Sequence, residues 1–136
     1  MGWFGFGPMD GDDGMDLRAE LWNFIGVKED QESYEILSTE DEIKELLESK
    51  QNLVYDWLRD YDWGTHNPGF KQAVYAQATA YLMCQYGARI NERGKKAFIM
   101  FIDGDEWAKE NKERALEMKK LKLNVLNNLL IKAVPK

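Results

Sequence analysis

"FKQAVYAQATAYLMCQYGA", residues 70–88, decides how the rest of this chain is read. Phe70, Ala73, Val74, Ala76, Ala78, Ala80, Tyr81, Leu82 and Ala88 place apolar groups on most sides of a helix. A helix at the surface carries one apolar stripe, whereas one that is apolar nearly all round belongs inside. The many alanines also let neighbours approach closely, so the spacing predicts a central helix with the others laid around it. The stretch before it, "WGTHNPG" (63–69), supplies the boundary. Gly64 can take a positive φ, and Asn67-Pro68 is a good N-cap followed by proline at the first helical position.

Working upstream, Thr39 with Glu42 three residues later reads as a capping box. Ile43, Leu46, Leu47, Val54, Trp57, Leu58 and Tyr61 then trace one helical face, predicting a helix over 40–62. Residues 27–38 are polar and read as a loop with an irregular turn around Tyr34 to Leu37. Before them, Leu17, Leu21, Trp22 and Ile25 predict a short first helix, with Asp12 or Asp13 as its N-cap and Gly26 as its stop. Downstream, the apolar run 97–102 fits a buried strand or a short helix, and helix is favoured because a lone strand has no partner to pair with. Asp105 can cap a long C-terminal helix over 105–133, striped with Trp107, Ala115, Leu116, Met118, Leu121, Val125, Leu126, Leu129 and Leu130. The expected fold is all-α: one domain spanning 1–136, a bundle of about five helices with the glycine- and aromatic-rich segment 1–14 packed on it.

At 136 residues and 44% hydrophobic content, the chain is long enough for one sizeable core and short for two. No apolar run approaches the length of a membrane span, and the N-terminus lacks the basic and apolar regions of a secretory signal. The single cysteine, Cys84, excludes an internal disulfide, so a cytoplasmic setting is expected. The net charge of −6 is unevenly distributed: residues 1–91 carry −10 and residues 92–136 carry +4. The density peaks over 10–48, where 14 acids face 3 bases. Such a surface repels nucleic acid phosphates and attracts basic protein surfaces. Its bland counterpart is that acids simply keep a small domain in solution.

The opening "MGWFGFGPMDGDDGMD" (1–16) fails the common glycine-rich templates. No strand precedes Gly5 and Gly7 as a dinucleotide fingerprint requires, no lysine follows as in a phosphate loop, and Phe6 stands where myristoylation wants a small hydroxyl. An EF-hand is excluded, because its sixth position would be Met15 and its twelfth Leu21. Asp10, Asp12 and Asp16, with Asp13 beside them, could still form an irregular oxygen site for calcium or another divalent ion. The competing reading is that they favour the positive end of a helix. Asp56, Asp60, Asp62 and His66 form a second mixed oxygen and imidazole cluster. Catalysis finds little material: one histidine, and one cysteine inside an apolar helix where a thiol is usually inert.

The opening stretch does resemble a family of small bacterial and phage proteins known only as a domain of unknown function, whose N-terminus reads M-G-x-W-G-x-G-P-F-D-N-D-x-A-x-D. Met1, Gly2, Gly5, Gly7, Pro8, Asp10, Asp12 and Asp16 match it without a gap, while Phe4, Met9, Gly11 and Gly14 replace tryptophan, phenylalanine, asparagine and alanine. The stretch 70–88 is similar to that family's alanine-rich helix ending in glycine. The resemblance implies a small helical domain and supplies no activity. It implies that Trp3, Phe4 and Phe6 tuck into the bundle while the aspartates start the first helix. Gly14 in the family's alanine position is expected to weaken that first turn by about 1 kcal/mol.

These observations lead to an expected non-enzymatic interaction or inhibitor protein, possible cargo of a phage or mobile element, acting on a host defence or nucleic-acid-binding protein. Its expected partner is a protein with a basic surface, met by Glu40, Asp41, Glu42, Glu45 and Glu48 with Trp63 as an aromatic anchor. Direct nucleic acid and membrane binding are not expected. The alternatives are a metal- or small-ligand-binding domain with hydrolase activity, and a self-associating module whose basic C-terminal helix meets the acidic half of a neighbour.

Overall fold

The computed structural model describes residues 7–33, 35–61 and 68–128. The segment 1–6 with its aromatics, and the anchor Trp63, therefore lie outside the described residues. The fold is all-α, built of seven helical segments among the described residues: α1 (Asp12–Ile25), α2 (Glu40–Ser49), α3 (Gln51–Asp60), α4 (Pro68–Gln85), α5 (Glu92–Asp103), α6 (Glu106–Glu110) and α7 (Lys112–Asn127). The connection between α1 and α2 is irregular, pinned by one isolated antiparallel bridge between Glu29 and Ile36.

The central helix stands where its alanines placed it. α4 packs against α1, α2, α3, α5 and α7, and Val74 through Ala80 are all buried. Around it the core gathers Leu17, Leu21, Trp22 and Ile25 from α1, Val54 and Leu58 from α3, Phe98 and Ile102 from α5, and Met118, Leu121 and Val125 from α7. Residues 97–102 are helical. Gly94, Phe98 and Ile102, four residues apart, are buried while Met100 is exposed, which is the period of a helix and not of a strand.

Four local expectations need correction or sharpening. The α1 N-cap is Gly11 and not Asp12 or Asp13, which lie in the first turn. The reason is the turn before it: the Gly7 N–H donates to Asp10 Oδ2 at 2.9 Å, and this turn lies directly on Gly14, where a Cβ would come within 2.5 Å of Pro8 O. The expected helix over 40–62 is divided at Lys50, which keeps φ −103 and ψ 8. That is close enough to helical for the apolar spacing to run on across the break. The long helix over 105–133 is also divided, at the extended Asn111, and closes at Asn128 in the left-handed region. Finally, α5 begins earlier than the apolar run suggests, because Asn91 caps it by accepting the Gly94 N–H at 2.9 Å. These breaks turn about five expected helices into seven.

Candidate functional site

The acidic half follows from its capping. Thr39 Oγ1 accepts the Glu42 N–H, and Glu42 Oε1 accepts the Thr39 N–H, both at 3.1 Å, so the capping box is complete. Hydrogen bonding from Thr39, its backbone N–H first and its side chain second, holds the Glu42 carboxyl below its ordinary range. Glu48 accepts the Arg89 N–H at 2.7 Å. Two of the five acids assigned to a partner therefore also hold the fold, while Glu40, Asp41 and Glu45 stand exposed. Among the described residues, no acid from Asp10 to Glu48 takes part in an ion pair; the pairs run from Asp56 to Lys122. Exposed apolar groups accompany the acids: Ile36 and Leu37 just before α2, and Phe24 on α1, stacked on Trp57 with ring centroids 4.9 Å apart.

Asp10, Asp12 and Asp16 are brought to one end of α1, with Asp10 bonded to the Gly7 N–H and Asp12 and Asp16 exposed. Among the described residues, no group of three or more His, Cys, Asp and Glu side chains is placed to hold a metal ion. Of the second cluster, Asp62 and His66 lie outside the described residues. Asp56 pairs with Arg59 and Arg93, and Asp60 with Arg59. Cys84 is buried and desolvation pushes its thiol up to about 12, so it stays protonated at neutral pH.

Two arrangements escaped the sequence reading. The first is a buried polar clip made by Gln77 on α4, Asp105 before α6 and Arg114 on α7. Arg114 is 0% exposed, its Nη2 donates to Asp105 Oδ2 at 3.0 Å and to Gln77 Oε1 at 2.6 Å, and its guanidinium lies 4.9 Å from the Trp107 ring centroid. Asp105 also accepts the Gln77 amide at 2.8 Å and the Ala108 N–H at 2.7 Å. Burial pushes the Asp105 carboxyl up, and its bonds and charge contact with Arg114, with those from Gln77 and Ala108, outweigh that and hold it below its ordinary value. The sequence signal for half of this was the Asp105 cap; Arg114 looked like one more surface charge of a basic helix.

The second is a cleft of about 390 Å³ between α3, α4 and α5. Leu58, Ala76, Phe98 and Phe101 line it, with Gln72, and Arg59 and Arg93 are its charged lining groups. Arg93 is held over the Tyr55 ring, 5.6 Å from its centroid, by hydrogen bonds to Asp56 and, at 3.5 Å, to the Asn52 carbonyl. Arg59 meets Asp60 through Nε at 2.9 Å and Nη2 at 3.0 Å. No single helix carries this lining, so no spacing along the chain announces it.

No protein-family model matches the chain, and no curated protein or solved structure shows significant similarity to it. No helix of the described residues is long and apolar enough to cross a membrane.

Proposed function

We propose that this is a non-enzymatic interaction protein whose acidic N-terminal half docks on a basic surface of another protein. The observation that carries the reading is the contrast in charge pairing. Acids from Asp56 onward are largely matched by cations, whereas Glu40, Asp41 and Glu45 stand exposed and take part in no ion pair among the described residues. Unmatched charge of one sign costs a little stability through repulsion, and it favours fast, salt-sensitive encounter with a surface of the opposite sign. Exposed apolar groups nearby in sequence, Ile36 and Leu37, supply the desolvated contact that such an encounter needs in order to persist. A nucleic-acid-binding protein, whose basic face is built for phosphates, is the partner this chemistry fits, and a phage or mobile element blocking a host defence is the setting in which such blocking is useful.

The test is capture from a lysate with wild-type protein and with the triple variant Glu40→Lys, Asp41→Lys, Glu45→Lys. Glu42 and Glu48 are left in place because they hold the capping box and the Arg89 backbone. A basic partner retained by the wild type at low salt, and lost in the variant at unchanged melting temperature, supports the reading. Equal capture by both proteins sinks it.

One observation favours a second reading, self-association. Leu116 and Leu123, seven residues apart on α7, are 53% and 50% exposed, and Leu126 is 45% exposed. Lys112, Lys119 and Lys120 are exposed on the same helix. Such a stripe could meet the acidic half of a second copy. Light scattering at two ionic strengths separates the readings, since a salt-dissociable dimer belongs only to this one.

A further inference from the structure

The cleft between α3, α4 and α5 is unrelated to the acidic docking face, and its chemistry is of the opposite kind. The chain has a net charge of −6, yet the charged groups lining this concavity are two guanidiniums, Arg59 and Arg93. The aspartates that pair with them, Asp56 and Asp60, are not part of the lining. Asp56 orients Arg93, while Arg59 meets Asp60 in an exposed pair, and each arginine keeps N–H donors that its aspartate does not take. Arg93 is additionally pinned over the Tyr55 ring. Such anchoring limits the rotamer freedom that binding would otherwise have to remove. Behind the arginines the wall is apolar: Leu58, Ala76 and Phe98 are buried, and Phe101 is partly so. A volume of about 390 Å³ lies within the range of small-ligand pockets, which pair apolar walls with a few fixed polar groups.

We propose that this cleft is a binding site for a small amphipathic anion, a carboxylate or sulfonate on an aromatic or aliphatic body. The apolar body lies against Leu58, Ala76 and Phe98, and the anionic head takes N–H donors from Arg59 and Arg93 at the mouth. Charge-assisted bonds from guanidinium to carboxylate are the strong class of hydrogen bond, so the head supplies selectivity and the body supplies burial.

The probe is naphthalene-2-carboxylate, with its neutral carboxamide and acetate as controls, followed by isothermal titration and by amide chemical shifts in labelled protein. The expected result is saturable binding of the acid, with shifts centred on Gln72, Ala97, Phe98 and Phe101, and markedly weaker binding of both controls. Arg59→Gln and Arg93→Gln should each weaken the acid about tenfold, the effect of losing one charge-assisted contact, and leave the carboxamide unchanged. Because Arg93 also anchors Asp56, a second variant guards the result: Gln72→Phe fills the cleft from α4, a helix that carries neither arginine, and should abolish binding at near wild-type melting temperature. Absence of saturable binding by the acid overturns the assignment. So does equal affinity for the carboxamide, which would mark a plain apolar socket, and so does unchanged affinity in both arginine variants.

Discussion

Gly14 shows how a single residue can reverse an expectation based on propensity. Alanine is the better helix former by about 1 kcal/mol, so Gly14→Ala should stabilise an isolated α1. In the folded chain the added Cβ would sit 2.5 Å from Pro8 O and 3.0 Å from Met9 Cα, both backbone atoms that cannot swing aside. We expect Gly14→Ala to destabilise by about 1–3 kcal/mol, the usual cost of overpacking, as read from urea unfolding. A stabilised variant would show that the 7–10 turn does not pack on α1. Arg114 carries the largest expected single-residue effect. Arg114→Ala leaves Asp105, 7% exposed, as an uncompensated buried charge, and should cost about 3–5 kcal/mol. The pH dependence follows from the same pair. Because Asp105 titrates below its ordinary 3.8 in the folded state, its contribution is present above that value and is lost as the pH falls through the lower folded pKa. In Arg114→Ala the remaining burial pushes the carboxyl up instead, so stability should rise as the pH falls from 7 towards 5, a window in which the wild-type contribution of Asp105 is flat, in a series of thermal melts. Neither effect was legible in the sequence. Helical spacing reports which face a residue occupies, and it is silent on a partner nine positions away across a chain reversal.

At the scale of elements, the signals that could be read were local ones, a side chain bonding its own backbone or a glycine free to take a positive φ. The Thr39–Glu42 capping box, the Asp105 cap and the Gly26 stop are all in place, with Gly26 at φ 89. The break at Lys50 was hidden because what fixes it comes from elsewhere in the fold, whereas the break at Asn111 is a local cap passed over in the sequence, its Oδ1 accepting the Arg114 N–H at 2.9 Å. Lys50 Nζ donates to the Ile25 carbonyl at 3.0 Å, capping the end of α1 from α2. Beside it Gln51, 9% exposed, donates to the carbonyls of Glu48 and Arg89 and accepts from the Asn91 N–H, tying the α2–α3 junction to the start of α5. The cap at that start is a separable quantity. Asn91→Ala removes the acceptor for the Gly94 N–H and should cost about 1 kcal/mol. It should also loosen the α3–α5 contact that forms one wall of the cleft, seen as faster amide exchange in Glu92 to Lys95. Unchanged exchange there would mean that Gln51 alone sets the register.

Across the whole molecule, charge divides the chain into a stretch from Asp10 to Glu48 whose acids form no ion pair among the described residues and a remainder in which most described acids meet cations. That division predicts an inverted response to salt. At an ionic strength of about 0.15 M the screening length is about 8 Å, short enough to quiet repulsion among the acids of α1 and α2. The melting temperature should therefore rise with sodium chloride before ordinary salting effects take over. A fall would show that the pairs of the second half dominate, and would weaken the case for a surface held in readiness for a partner. The acidic asymmetry was legible from residue order alone, as was the all-α fold. The cleft was not, because its lining is drawn from positions 55 to 101 on three helices. The central place of α4 has a further consequence for how the protein comes into being. On the ribosome, the leucines of α1, the isoleucine of α2 and the valine of α3 emerge well before residues 68–85, against which those helices pack. The nascent segment must wait with its apolar faces uncovered, and its like charges then serve as a chaperone of its own, keeping neighbouring polysome chains apart until the helix at the middle arrives.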